Sequence, residues 1–260
     1  MRLATWNING VRARIEGLTA WLRETNPDVV CLQEIKTLDE GFPAAEIEAL
    51  GYSVAVHGQK GFNGVALLAK GRVEDVTRKL PGDPDDIQSR YIEAIVPGVR
   101  GILRVGGLYL PNGNPIGTEK FEYKLRWMRR LIEHARASLA TEEPFALLGD
   151  FNVIAEPRDA RRPEAWTGDA LFQPQSRALF AELCHLGFTD AVRACHPGDG
   201  VFTFWDYQAG AFQKNDGIRI DHILLSPQAA DRLLRAGIDR FTRGWEKPSD
   251  HVPVWVELDI

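Results

Sequence analysis

The chain has 260 residues, of which 44 % are hydrophobic and 26 % charged, and its formal net charge is −5. Such a length and composition suit one large α/β domain, or two small ones, with a sizeable buried core. The acidic balance excludes a protein that is basic all over, although overall charge says little about a local surface.

RLATWNIN reads as a strand that begins at the first residues. EGLTAWLRE is amphipathic at helical spacing, with Leu18, Trp21 and Leu22 on one side. DVVCLQE is a continuous apolar run with a polar end, the pattern of a strand buried on both faces. GVALLAK, YIEAIV and ILRVGGLYL are further strands, separated by Gly and Pro. TEKFEYKLRWMRRLIEHARASL is a long helix, and PFALLGDFN another buried strand with a polar end. NVIAEPRDARRPEAWTGDALFQPQ is a long irregular segment, of a kind more often functional than idle in a compact domain. QSRALFAELCHLG is a helix closed by Gly187, and RIDHILLS and VPVWVEL are the last strands. No linker, tandem repeat or low-complexity tract divides the chain, which predicts a single domain over 1–260.

Cys31, Cys184 and Cys195 are odd in number, far apart and without a CxxC unit. A disulfide framework and a structural zinc site are therefore set aside, and unpaired thiols point to a reducing, cytoplasmic setting. The first ten residues lack the apolar core of a signal peptide, and no apolar run reaches the length of a membrane span.

Several buried strands end in oxygen-rich side chains. The first delivers Asn7 and Asn9, and the second Gln33 and Glu34. GGLYLPN delivers Tyr109 and Asn112, and LLGDFN delivers Asp150 and Asn152. RIDHILL carries Asp221, and EKPSDHVPVW carries Asp250 and His251. One such carboxylate would be read as a helix cap or a turn former, but six such ends point to a shared site, since α/β sheets bind ligands at strand carboxyl ends. Carboxylates and carboxamides without cysteine suit a hard cation, Mg²⁺ or Mn²⁺. A spare carboxylate can orient a water, and a histidine held by another carboxylate can meet charge on a phosphate. The sum is a metal-assisted phosphodiester hydrolase; no GxSxG elbow, P-loop or GxGxxG follows the first strand. Asp221 and His222 face opposite sides of their strand, so only one lines the site. The basic cluster KLRWMRR reads as a solvated helix face.

These stretches resemble the exonuclease III type of abasic-site endonucleases, within the endonuclease/exonuclease/phosphatase superfamily. The match runs through WNINGVRAR (6–14), PDVVCLQEIK (27–36), HGQKGFNGVALLAK (57–70), YLPNG (109–113), GDFNV (149–153), FTFWDY (202–207), IRIDHILLS (218–226) and EKPSDHVPVW (246–255). GDFN and SDH identify only the superfamily; FTFWDY, GQKGFNGVA and EKPSDHVPVW narrow it to the DNA-repair branch. The resemblance implies a four-layer α/β sandwich, two mixed sheets face to face with helices outside. It implies a metal set of Asn7, Glu34, Asp150, Asn152, Asp250 and His251, with Glu34 the main ligand and Mg²⁺ or Mn²⁺ the ion. It implies that Asp150 activates the water, Asn152 and Tyr109 contact phosphate, and Asp221 orients His251. Asn112, Phe204, Trp205 and Ile220 are implied to bind substrate, the last three as the apolar pocket for a base-free sugar. The implied substrate is duplex DNA with abasic sites or 3′ ends, bound by a monomer through local basic loops, RAR and EPRDARRP. A superfamily phosphatase or phosphodiesterase acting on inositol phosphates or sphingomyelin would share the metal site without FTFWDY, and a ribonuclease or deadenylase is another relative. A DNA-binding module without activity would have lost acids that are all present here.

Overall fold

The structure is a computed structural model that describes residues 1–260. Twelve strands form two mixed six-stranded sheets. The first comprises β1 (Arg2–Asn7), β2 (Val29–Gln33), β3 (Tyr52–His57), β4 (Val65–Lys70), β11 (Leu233–Ile238) and β12 (Val254–Leu258), in the order β11-β12-β1-β2-β4-β3. The second comprises β5 (Glu74–Arg78), β6 (Tyr91–Gly98), β7 (Gly101–Tyr109), β8 (Phe145–Asp150), β9 (Thr189–Asp190) and β10 (Asp221–Leu225), in the order β5-β6-β7-β8-β10-β9.

Each sheet has one parallel pair, β1 with β2 and β7 with β8. A parallel pair needs a crossover, and a helix supplies it. Helix α1 (Ile15–Thr25) joins β1 to β2, and α3 (Glu119–Leu139) joins β7 to β8. Helix α4 (Pro174–His185) packs beside α3, and Gly187 follows it at φ 127°. Three short helices complete the set, α2 (Ala44–Glu48), α5 (Ala191–Cys195) and α6 (Pro227–Ala230). No helix is long and apolar enough to cross a membrane.

Strand alternation builds the layers. Leu3, Val29, Cys31 and Leu67 face Ile92, Val105, Leu148 and Ile223 across the inter-sheet core. Trp6, Val30 and Leu32 turn outward under Leu18, Trp21 and Leu22 of α1. Leu108, Leu147 and Leu224 turn the other way, under Trp127 and Leu131 of α3 and Phe180 of α4. The result is the four-layer sandwich that the family resemblance implied. Gly149 lets β8 lie this close to β7: a Cβ there would stand 1.9 Å from the Leu108 carbonyl. β8 ends at the next residue, Asp150.

Candidate active site

The polar ends of β1, β2, β7 and β8 come together with the start of β10. In the ladders Asn7 faces Gln33, and Asp150 lies between Tyr109 on one side and Asp221 on the other. His251 sits in the turn that leads into β12. Its N–H bonds to Ser249 Oγ (3.2 Å), and that hydroxyl donates to the Asn7 carbonyl (2.7 Å). These groups surround a cavity of about 160 Å³. Glu34, Tyr109, Asn112, Asp150, Asn152, Asp169 and His251 form its polar wall; Trp166, Leu171, Phe204 and Ile220 form the apolar one.

Asn7 holds the two central acids in place. Its Nδ2 donates to Glu34 Oε1 (2.8 Å) and to Asp150 Oδ2 (3.0 Å). Glu34 leaves β2 in the left-handed region, φ 49°, and Asn152 follows β8 at φ 48°. Non-glycine residues in such conformations gather at functional sites, where the surroundings hold them. Burial disfavours the Glu34 charge, but the Asn7 bond and the Lys36 ammonium, 3.0 Å from Oε2, outweigh it and lower its pKa. Asp150 is only 1 % exposed. Burial pushes its pKa up to about 7, against the attraction of His251 and the bonds from Asn7 and the Asn152 N–H.

His251 is clamped from behind. Its Nδ1–H bonds both Asp221 oxygens, at 2.8 and 3.1 Å, and its Nε2 faces Asp150 Oδ2 at 3.8 Å. Burial works against its charge, but Asp221 and Asp150 together raise its pKa to about 10. The ring is therefore an imidazolium at neutral pH. Asp221 is completed by Thr203 Oγ1 (2.6 Å), which belongs to FTFWDY. Burial, followed by Glu34 and Asp150, drives the Tyr109 phenol well above its usual range, so it stays a hydrogen-bond donor. His222 points to the other face, against Phe151, Phe180 and Asp190.

The structure redistributes some expected roles. Trp205 does not line the cavity: it is 1 % exposed and packs with Phe202, Ala211 and Val252. Trp166, from the long irregular segment, stands in the apolar wall instead, beside Phe204 and Ile220. Neighbouring residues of an extended chain point to opposite sides, so Phe204 at the cavity sends Trp205 into the core. Phe204 lies edge-on to the His251 ring at 5.0 Å. As an imidazolium, His251 carries protons on both ring nitrogens and has no lone pair for a metal; without that charge the ring lies close enough to Asp150 and Asp221 to share one. Asn152 Nδ2 donates to the Leu110 carbonyl, and its Oδ1 accepts from Asn112 Nδ2 at 3.3 Å. Asp250 stands at the rim, bonded to Asn9 Nδ2 (3.0 Å), and Asn9 in turn accepts from Lys36. KLRWMRR is not wholly solvated: Lys124 is 0 % exposed and lies under the site. Among the expected basic loops, Arg158 and Arg162 are paired with Glu156 and Asp216, while Arg12 and Arg161 are exposed and carry no ion pair.

The donor set fits a hard divalent cation. Glu34, Asp150 and the Asn7 carboxamide offer oxygens with no sulfur nearby, and Asp150 is held beside Asp221 with its ionisation opposed. Such crowded, buried carboxylates gain most from a divalent ion.

The chain matches the model of the endonuclease/exonuclease/phosphatase family over residues 4–251. It is 38 % identical to exodeoxyribonuclease III of Haemophilus influenzae over 99 % of this chain and all of that one. A 3′ phosphatase from Neisseria, solved bound to a product DNA hairpin, superposes with a TM-score of 0.96 at 38 % identity, each chain covered in full. An abasic-site endonuclease from Archaeoglobus fulgidus gives 0.95 at 35 % identity, again over both whole chains. The chain therefore belongs to the endonuclease/exonuclease/phosphatase family and, within it, to the exonuclease III type of abasic-site endonucleases.

Proposed function

We propose that this enzyme is a DNA-repair phosphodiesterase that cleaves duplex DNA on the 5′ side of abasic sites and trims 3′ ends. The observation that carries the reading is the division of one small cavity. Acid–imidazolium chemistry lines one wall and an aromatic and aliphatic surface the other. A phosphate would meet the first, and a sugar without a base would fill the second. A base-free sugar is also the nucleotide cheapest to unstack.

The site residues act as follows. Asp150, as the carboxylate, orients a water and takes its proton; Asn7 and the Asn152 N–H fix the direction of its oxygens. His251, charged and held by Asp221, donates to a phosphate oxygen as negative charge builds there. Tyr109 and Asn112 donate to the other phosphate oxygens. Phe204, Ile220 and Trp166 exclude water from the sugar side. Mg²⁺, or Mn²⁺ in its place, when bound by Glu34 and Asp150 with Asn7 alongside, would polarise the phosphate. We read the chain as one domain acting as a monomer. Its three unpaired thiols suit the cytoplasm.

The test is a duplex carrying one abasic analogue, incubated with and without Mg²⁺ and resolved on a denaturing gel. Incision on the 5′ side only with the metal is expected. Absence of incision, with hydrolysis of small phosphate esters instead, would overturn the reading.

A further inference from the structure

Lys124 is the one titratable side chain buried beneath the cavity that the chemistry above does not use; burial pulls its pKa down to about 7, against the attraction of Asp150 and Asp169. It lies in α3, on the side turned to the sheet, and is 0 % exposed. A lysine is almost never fully buried without partners, because its ammonium loses water that something must replace. Here two backbone carbonyls replace it. Nζ donates to Asn152 O at 2.6 Å and to Asn112 O at 3.0 Å. Those two residues belong to separate loops, one after β8 and one after β7. Both carboxamides line the cavity, and they are bonded to each other, Asn112 Nδ2 to Asn152 Oδ1 at 3.3 Å.

The lysine stem is equally confined. A Cβ at Gly113 would come within 2.6 Å of Lys124 Cδ, so the loop after β7 lies directly on the side chain. Asn152 also needs holding, since its φ of 48° is one a non-glycine residue rarely adopts. Its N–H, side chain and carbonyl are all spoken for, by Asp150, Leu110 and Lys124.

We propose that Lys124 is a positioning residue for phosphodiester cleavage: a buried amino group that ties the Asn112 and Asn152 loops to α3 and so sets both carboxamides, and through the Asn152 N–H the Asp150 carboxylate, against the phosphate. It touches neither substrate nor metal. This rests on the cleavage reading above, and parent activity on the abasic duplex is measured first, so the two fail separately. If the parent does not cut, that reading falls; if the parent cuts and the variants cut equally well, only the role of Lys124 falls.

Lys124→Met, Asn112→Ala and the double variant are compared with the parent after circular dichroism and thermal melting establish the folded fraction. Lys124→Met is expected to lose about 10- to 100-fold in kcat, the range for groups that orient an active-site residue from behind, with KM changed by less than about threefold. The double variant should lose little more than Lys124→Met alone, because Asn112 is already displaced. Losses that multiply independently, a kcat within about twofold of the parent per folded molecule, or a change in KM alone would overturn the proposal. Should Lys124→Met not fold, Lys124→Gln, which keeps a donor at shorter reach, enters the same cycle under the same criteria.

Discussion

Asp150 and Asp221 are direct partners across the β8–β10 ladder, so the sheet register itself brings together two buried carboxylates, one lining the cavity and one behind His251. His251 enters from the other sheet and bonds one of them while facing the other. Two acids and one imidazolium leave an excess of negative charge, and Asp150 bears it, with its pKa pushed up to about 7. A carboxyl that must be ionised to take a proton is thus held partly neutral until a cation arrives.

The pH dependence follows from that arrangement. At low Mg²⁺, kcat should rise through about pH 7 as Asp150 ionises, and fall only near pH 10, where His251 loses its proton. Rising Mg²⁺ should move the acid limb to lower pH, since the ion favours the carboxylate. An acid limb that does not move with Mg²⁺ would separate Asp150 from the metal.

Stability should change in the opposite sense to activity. The folded pKa of Asp150 is raised above its ordinary 3.8, so the native state binds the proton more tightly. That contribution is full below about pH 4 and is lost as pH rises through 7. Asp150→Asn, free of the charge, should melt roughly a few degrees higher than the parent at pH 8 in EDTA, while its turnover falls by about 10²-fold or more. A lower melting temperature at pH 8 would mean that the ionised carboxylate stabilises the fold.

Glu34→Ala should abolish cleavage at ordinary Mg²⁺ with the far-ultraviolet spectrum intact. The residue follows β2 at the surface of the cavity, and its oxygens serve the site groups Asn7, Lys36 and Tyr109. Calorimetry should show Mg²⁺ binding weakened in step. Full activity of the variant in EDTA would remove Glu34 from the metal set.

Most of this fold is written in the chain, and what is not has one cause. Every expected strand forms. The four that the pattern did not announce, β3, β5, β9 and β11, are the four edges of the two sheets. Edge strands bury one side less, so their apolar signal fades; β5, EDVTR, is exposed at four of five positions. The same limit applies at the site. Glu34, Asp150 and His251 were legible as one cluster because six oxygen-rich strand ends are too many for separate caps, whereas the role of Asp221 came from the family resemblance. Trp166 was not legible, because its loop has no period from which to read a face. Lys124 was misread because a lysine in a basic helix normally faces water, and only the carbonyls beneath it reverse that.

DNA contact should be electrostatic but modest. Arg12 and Arg161 are exposed without ion pairs, whereas Arg158 and Arg162 are already neutralised by Glu156 and Asp216. The slope of log affinity against log salt becomes shallower by about one for each phosphate that the protein ceases to neutralise. Arg12→Ala and Arg161→Ala should each make it shallower, and Arg158→Ala should not. Equal slopes in all three would place the duplex on another surface.

Selectivity for a base-free sugar should separate from chemistry along the two aromatic positions. Phe204 and Trp166 line the cavity, while Trp205 fills the core behind it. A cavity-wall residue decides which sugar enters; a core residue decides only how much protein is folded. Trp166→Ala should therefore lower abasic incision more than Mg²⁺-dependent degradation of a normal 3′ end, with little change in stability because the residue is half-buried in a loop. Trp205→Ala should cost about 3–5 kcal/mol of stability through the void it leaves. Per folded molecule, its ratio of the two rates should stay at the parent value. The measurement is that ratio on two defined duplexes, with a melting curve for each variant. If Trp205→Ala shifts the ratio and Trp166→Ala leaves it alone, the apolar wall has been assigned to the wrong residue.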